Sequence, residues 1–81
     1  MRAIRIFAKV PERLPDTPCL IHEMSGSYSI WTGKNWHGEI TRLHGRRGWV
    51  VSTPWSPNDV FSWFDAAREE ARTRALRAEG M

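Results

Sequence analysis

The sequence predicts an α+β domain: a mostly antiparallel sheet of four or five strands packed against one C-terminal helix. Three observations carry that prediction. Short strand-like runs fill positions 2–53 and are separated by turn chemistry. One run of helical periodicity follows, over about 57–79. The chain has 81 residues with five Trp, three Phe and one Tyr. A chain this short buries only about 60–65% of its unfolded surface. A thin core of this kind is best built on aromatics, each of which buries about 150–250 Å².

The first run, RAIRIFAKV (2–10), alternates, with Ile4, Ile6, Ala8 and Val10 on one side and Arg5, Phe7 and Lys9 on the other. That is the pattern of a half-buried strand. PERLPDTP (11–18) has three prolines in eight residues and reads as a loop. CLIHEM (19–24), YSIWT (28–32), WHGEITRLH (36–44) and WVVST (49–53) are the next strand candidates. The connections GKN and GRRG suit an antiparallel meander. SPND then starts the helix, with Ser56 at the N-cap, Pro57 at the first helical position and Asp59 in the first turn. Val60, Phe64, Ala67 and Ala71 form its apolar stripe. Asp65/Arg68 and Glu70/Arg74 are spaced for pairing along it, and Gly80 stops it.

Hairpin symmetry assigns the faces. A turn centred on Gly33-Lys34 sets Trp31 opposite Trp36. A turn centred on Arg46-Arg47 sets His44 opposite Trp49 and Arg42 opposite Val51. One face then carries Trp31, Trp36, Ile40, Arg42, Trp49 and Val51. The other carries Tyr28, Ile30, His37, Glu39, Thr41, Leu43, Val50 and Ser52. The first is the more apolar and is expected to form the core under the helix. Trp55, just before the predicted N-cap, is placed to staple the helix start.

The chemistry-bearing residues are few. A single cysteine, Cys19, excludes an internal disulfide and fits a reducing cytoplasm. No stretch approaches the roughly 20 apolar residues of a membrane span, and the N-terminus lacks the pattern of a signal peptide. Cys19, His22, His37 and His44 have no zinc-site spacing, and Cys19 and His22 fall on opposite sides of one strand. No motif orients a nucleophile, and GRRG lacks the strand-to-helix setting of a phosphate loop. The chain is therefore expected to be no enzyme and to take no cofactor and no metal.

Charge is the remaining signal. The net charge is +3. Residues 1–48 carry eight basic and four acidic side chains, and 49–81 four and five. Arg46 and Arg47 stand on one turn and Lys34 on the other, so the turns are expected to contact phosphate or acidic protein. The face predicted to be exposed adds Tyr28, His37 and Glu39, and the first strand adds Arg5 and Lys9. These eight residues are the candidate partner-binding set.

From Tyr28 to about Thr73 the chain reads as three short strands and a helix opening on an aromatic-rich turn. This resembles the arm-type DNA-binding domain of phage integrases and the related plant ethylene-response domain. The likeness implies a sheet face laid in the major groove. The face predicted to be exposed departs from that pattern, offering Tyr28, His37, Glu39 and Thr41 where that family uses arginines and tryptophans. Over more of the chain, MRAIRIFAKV, the meander and SPNDVFSWF resemble small phage-encoded anti-CRISPR proteins. That likeness implies a stoichiometric, non-enzymatic inhibitor or adaptor in the bacterial cytoplasm, monomeric or homodimeric. It would bind a CRISPR–Cas effector, a protein or ribonucleoprotein complex, and would not involve a membrane. A β-sheet DNA-binding module is the alternative.

Overall fold

The computed structural model describes residues 11–80. The predicted strand over 2–10, with Arg5 and Lys9, lies outside the described residues. Six strands precede one helix: β1 Glu12–Arg13, β2 Cys19–Met24, β3 Ser27–Thr32, β4 Asn35–Arg42, β5 Trp49–Thr53, β6 Ser56–Phe61 and α1 Phe64–Ala78. They form one sheet in the order β1-β2-β3-β4-β5-β6, every neighbouring pair antiparallel. The α+β arrangement is the expected one, with one strand more than the upper count predicted.

Two of the six are unpredicted: β1, where Glu12 and Arg13 of the stretch read as a loop pair with Leu20 and Cys19, and β6, which corrects the reading of SPND. Ser56 is no helix cap; it pairs with Thr53 across a tight turn at Pro54-Trp55. Pro57 is tolerated because β6 closes the described sheet at its edge, where a missing N–H breaks no ladder bond. Val60 lies opposite Val50 and is exposed rather than part of a helical stripe. The helix starts at Phe64, with Trp63 at its N-cap and no side-chain cap bond. Trp55 therefore does not staple it. The rest of the stripe holds: Ala67 and Ala71 are fully buried, and Ala75 extends the row one turn further. Three alanines in line bring the helix axis close to the sheet. The predicted pairs also form, Arg68 to Asp65 at 3.7 Å and Arg74 to Glu70 at 2.8 Å.

The helix covers one face of the sheet. Leu20, Ile30, Ile40 and Val51 are buried under it, joined by Leu14. Around Phe64, the rings of Tyr28 and Trp49 each lie 4.8 Å away, centroid to centroid. The helix thus begins over Tyr28 and Trp49. It ends beside β4, where Asn35 Nδ2 donates to Glu79 at 3.2 Å.

The face assignment was half right. Ile40, Arg42, Trp49 and Val51 do share the covered face. Arg42 pairs with Trp49 and Ile40 with Val51, two residues from the expected register. A two-residue slip keeps parity, so the face is unchanged. On β3 the parity is reversed. Trp31 does pair with Trp36, but Ile30 pairs with Gly38. His37 is the extra residue of a β-bulge, and it moves Ile30 and Tyr28 to the core side. Trp31 and Trp36 go to the outer face, where Trp36 is exposed. Gly38 makes the bulge possible. Its φ is +147°, and a Cβ there would lie 2.2 Å from the Ser52 carbonyl oxygen. Of the three tryptophans expected in the core, only Trp49 packs against it.

Candidate functional site

Six of the eight arginines among the described residues fall into two sets, and the other two, Arg13 and Arg77, are exposed, make no ion pair among those residues and stand away from both. On α1, Arg68, Arg72 and Arg74 each meet two carboxylates. Arg68 pairs with Glu12 and Asp65, and Arg72 with Asp16 and Glu69. Arg74 bonds Glu70 at 2.8 Å and Asp59 at 2.7 Å, and also donates to Thr53 Oγ1 and the Pro57 carbonyl. It is only 2% exposed. These arginines tie the helix to β1, to the loop after it and to β6.

The second set is Arg42, Arg46 and Arg47, at the end of the sheet where β4 turns into β5. None of them makes an ion pair among the described residues. Arg42 and Arg47 are instead held by aromatic faces. The Arg42 guanidinium lies 5.9 Å from the Trp49 ring centroid, and that of Arg47 lies 5.2 Å from Trp63. Such contacts fix a guanidinium while leaving its N–H donors free. The loop closes with a bond from Leu43 N–H to the Gly48 carbonyl at 3.0 Å. Gly48 has φ +141° and is buried, so the loop's shape comes from its backbone rather than from its arginines.

Between this loop and the β2–β3 turn lies an open concavity of about 930 Å³. Arg42, Arg46, Arg47 and His44 line it, with Ser25, Ser27 and Thr41 supplying hydroxyls and Glu39 one negative charge. Met24 also lines it and is exposed, as is Trp63 behind Arg47. The helix begins at this end, so the positive pole of its dipole points the same way.

The predicted partner-binding residues do not all assemble here. Arg46 and Arg47 do, and Glu39 lines the same concavity. Lys34 stands in the β3–β4 turn, at the opposite end of β4. Tyr28 and His37 are corrections, since both face the helix side rather than open solvent. Tyr28 stacks on His22 at 4.7 Å and packs against Phe64. His37 is 4% exposed. Arg42 was missed as a site residue because its face was assigned to the core; it is on that face, but at the end of β4, where it is exposed. Its signal was present: a basic residue one strand end away from the arginine pair.

Among the described residues, His37 forms an arrangement with a catalytic outline. Its Nε2 lies 2.7 Å from Thr32 Oγ1 and 3.3 Å from Glu79 Oε2. Both partners meet the same ring nitrogen. A relay needs the carboxylate on the other nitrogen, orienting the ring while Nε2 faces the hydroxyl. Here the hydroxyl and the carboxylate share one position, and the contact anchors the helix end to the bulge. No group of three or more Cys, His, Asp or Glu among the described residues could hold a metal ion. No helix among them is long and apolar enough to cross a membrane.

No protein-family model matches the chain, and no curated protein or solved structure is similar enough to it to place it among known proteins.

Proposed function

We propose that this protein acts by occupancy, as a stoichiometric inhibitor or adaptor whose contact surface is the basic loop end formed by Arg42, Arg46 and Arg47. In its sharpest form it is an anti-CRISPR protein of phage or mobile-element type, binding a CRISPR–Cas effector complex in the bacterial cytoplasm. The observation that carries the reading is the division of the arginines. Three are held by carboxylates, and of the five without an ion pair among the described residues three cluster at one end around a single concavity, while Arg13 and Arg77 stand apart. Unpaired surface arginines beside exposed aromatics are the composition of recognition surfaces.

A sheet-face DNA-binding module ranks second. Alternation puts Ile21, Glu23, Ser29, Trp31, Glu39, Thr41, Val50 and Ser52 on the outer face of β2–β5. Two glutamates and no lysine or arginine make that described face a poor match for a phosphate backbone.

The test is a plaque assay in hosts whose active CRISPR–Cas system blocks a phage. The wild-type protein restores plaque formation, and the Arg46→Glu/Arg47→Glu variant does not, at an unchanged melting temperature. A charge reversal turns attraction at a contact into repulsion. Failure of the wild-type protein to restore plaques against every effector type tried would count against the anti-CRISPR form.

A further inference from the structure

We infer that the basic loop end takes a single-stranded nucleic acid, with phosphates on Arg42, Arg46 and Arg47 and an unstacked base on Trp63. This deepens the reading above and rests on its placement of the contact surface at this end. Three observations point past an acidic protein. The guanidinium groups rest on separate supports: Arg42 lies over Trp49, Arg47 over Trp63, and Arg46 lines the same concavity from the loop. A spread of this kind suits the regularly spaced charges of a phosphodiester chain better than one carboxylate.

Second, Trp63 is 64% exposed and already carries Arg47 at 5.2 Å from its centroid. An indole and guanidinium in contact form a platform for a third flat group. Base stacking on such platforms is how single strands are held without sequence readout. Third, the concavity pairs its arginines with the hydroxyls of Ser25, Ser27 and Thr41. These groups can donate to phosphate oxygens and exchange hydrogen bonds with sugar hydroxyls, which a run of acidic side chains lacks. A duplex is disfavoured, because its bases are stacked away from Trp63.

Fluorescence anisotropy with labelled 12-nucleotide oligo(U) and oligo(dT) tests this, against a 12-base-pair duplex and polyglutamate. At least one single strand binds about tenfold tighter than the duplex and the polyglutamate, and the two arms show whether ribose matters. For single strands each neutralised phosphate contributes about −0.7 to the log–log salt slope, so three arginines give about −2. Arg46→Glu/Arg47→Glu weakens binding on the order of a hundredfold and flattens the slope. Trp63→Ala weakens it about tenfold, as expected for one lost stack. Arg13→Glu/Arg77→Glu makes the same change in net charge at exposed positions away from the loop, and leaves binding within about twofold.

Three results would overturn the inference: polyglutamate or duplex binding as tightly as either strand, equal losses in the two charge-matched variants, or no effect of Trp63→Ala. If no strand binds while Arg46→Glu/Arg47→Glu still abolishes plaque rescue, the nucleic-acid inference falls and the occupancy reading stands. If that variant also rescues normally, both fall.

Discussion

Arg74 and Arg47 are the same side chain in two settings. Arg74 is 2% exposed and donates to Glu70, Asp59, Thr53 and the Pro57 carbonyl. Arg47 is exposed, meets no carboxylate among the described residues, and rests on the face of Trp63. Burial of an arginine is tolerable only when its donors are satisfied. Arg74 meets that condition, so its charge is spent on cohesion between the helix and β6. The loop arginines spend nothing on the fold. The difference separates the residues that maintain the fold from those available to a partner, without reference to any known protein.

The largest stability change should follow Arg74→Ala. Removing one side of a buried charge pair costs roughly 3–5 kcal/mol. Asp59 and Glu70 keep partial access to water, so the lower end, about 3 kcal/mol, is expected. That corresponds to a fall of roughly 12–24 °C in a thermal melt of a domain this size. A loss under about 1 kcal/mol would place Arg74 with the loop set and dissolve the contrast.

Phe64→Ala comes next. Phe64 is half-buried between Tyr28 and Trp49, and the Arg68 guanidinium lies 5.9 Å from its ring. Full burial would make the truncation cost about 3–5 kcal/mol; half burial reduces this to about 2 kcal/mol. Because Phe64 supports Trp49, and Trp49 holds Arg42, the same variant should loosen the loop end. Hydrogen exchange at Arg42 and Trp49 should rise more than at Ile30. Equal rises would mean that the aromatic group does not brace the loop in particular.

Arg68→Ala/Arg72→Ala should cost about 1 kcal/mol, since both pairs reach solvent. The loss should shrink in high salt, which screens exposed pairs but not the Arg74 network. A denaturant series at two salt concentrations separates the cases. A cost unaffected by salt would show that these arginines act by packing their stems on the loop rather than by charge.

The fold class, four strand positions and both predicted helix pairs were legible in the sequence because each rests on local chemistry. CLIHEM and WVVST match β2 and β5 end for end. β6 was not legible. Ser56-Pro57-Asn58-Asp59 satisfies every local rule for a helix start, and only pairing with β5 overrides it. Asp59 serves the buried Arg74 instead of a helix pole. The bulge at His37 was equally hidden. Gly38 inside a strand was its one trace, and missing it reversed the parity of β3. In the candidate site, the arginine pair was visible because turn arginines need no tertiary context. Arg42 was not, because it lies on the face the helix covers, and only the packed structure shows that this end of β4 stays exposed.

The smallest stability change should follow Arg46→Glu/Arg47→Glu. The loop is closed by the bond from Leu43 N–H to the Gly48 carbonyl and shaped by Gly48, and neither feature involves the arginine side chains. The one interaction lost within the described residues is the exposed contact of Arg47 with Trp63, worth about 0.5 kcal/mol. Glutamate adds little local repulsion, because Glu39 is the only carboxylate among the described residues that line the concavity. The melting temperature should therefore fall by no more than about 2–4 °C. Trp63 emission should shift as its cationic neighbour leaves, which confirms that the substitution reached the intended place. A fall matching that of Arg74→Ala would show that the loop arginines hold the fold together. The division on which the functional reading stands would then be gone. A near-silent melt alongside lost binding would show the reverse, that the end of the sheet is built to be spent on a partner.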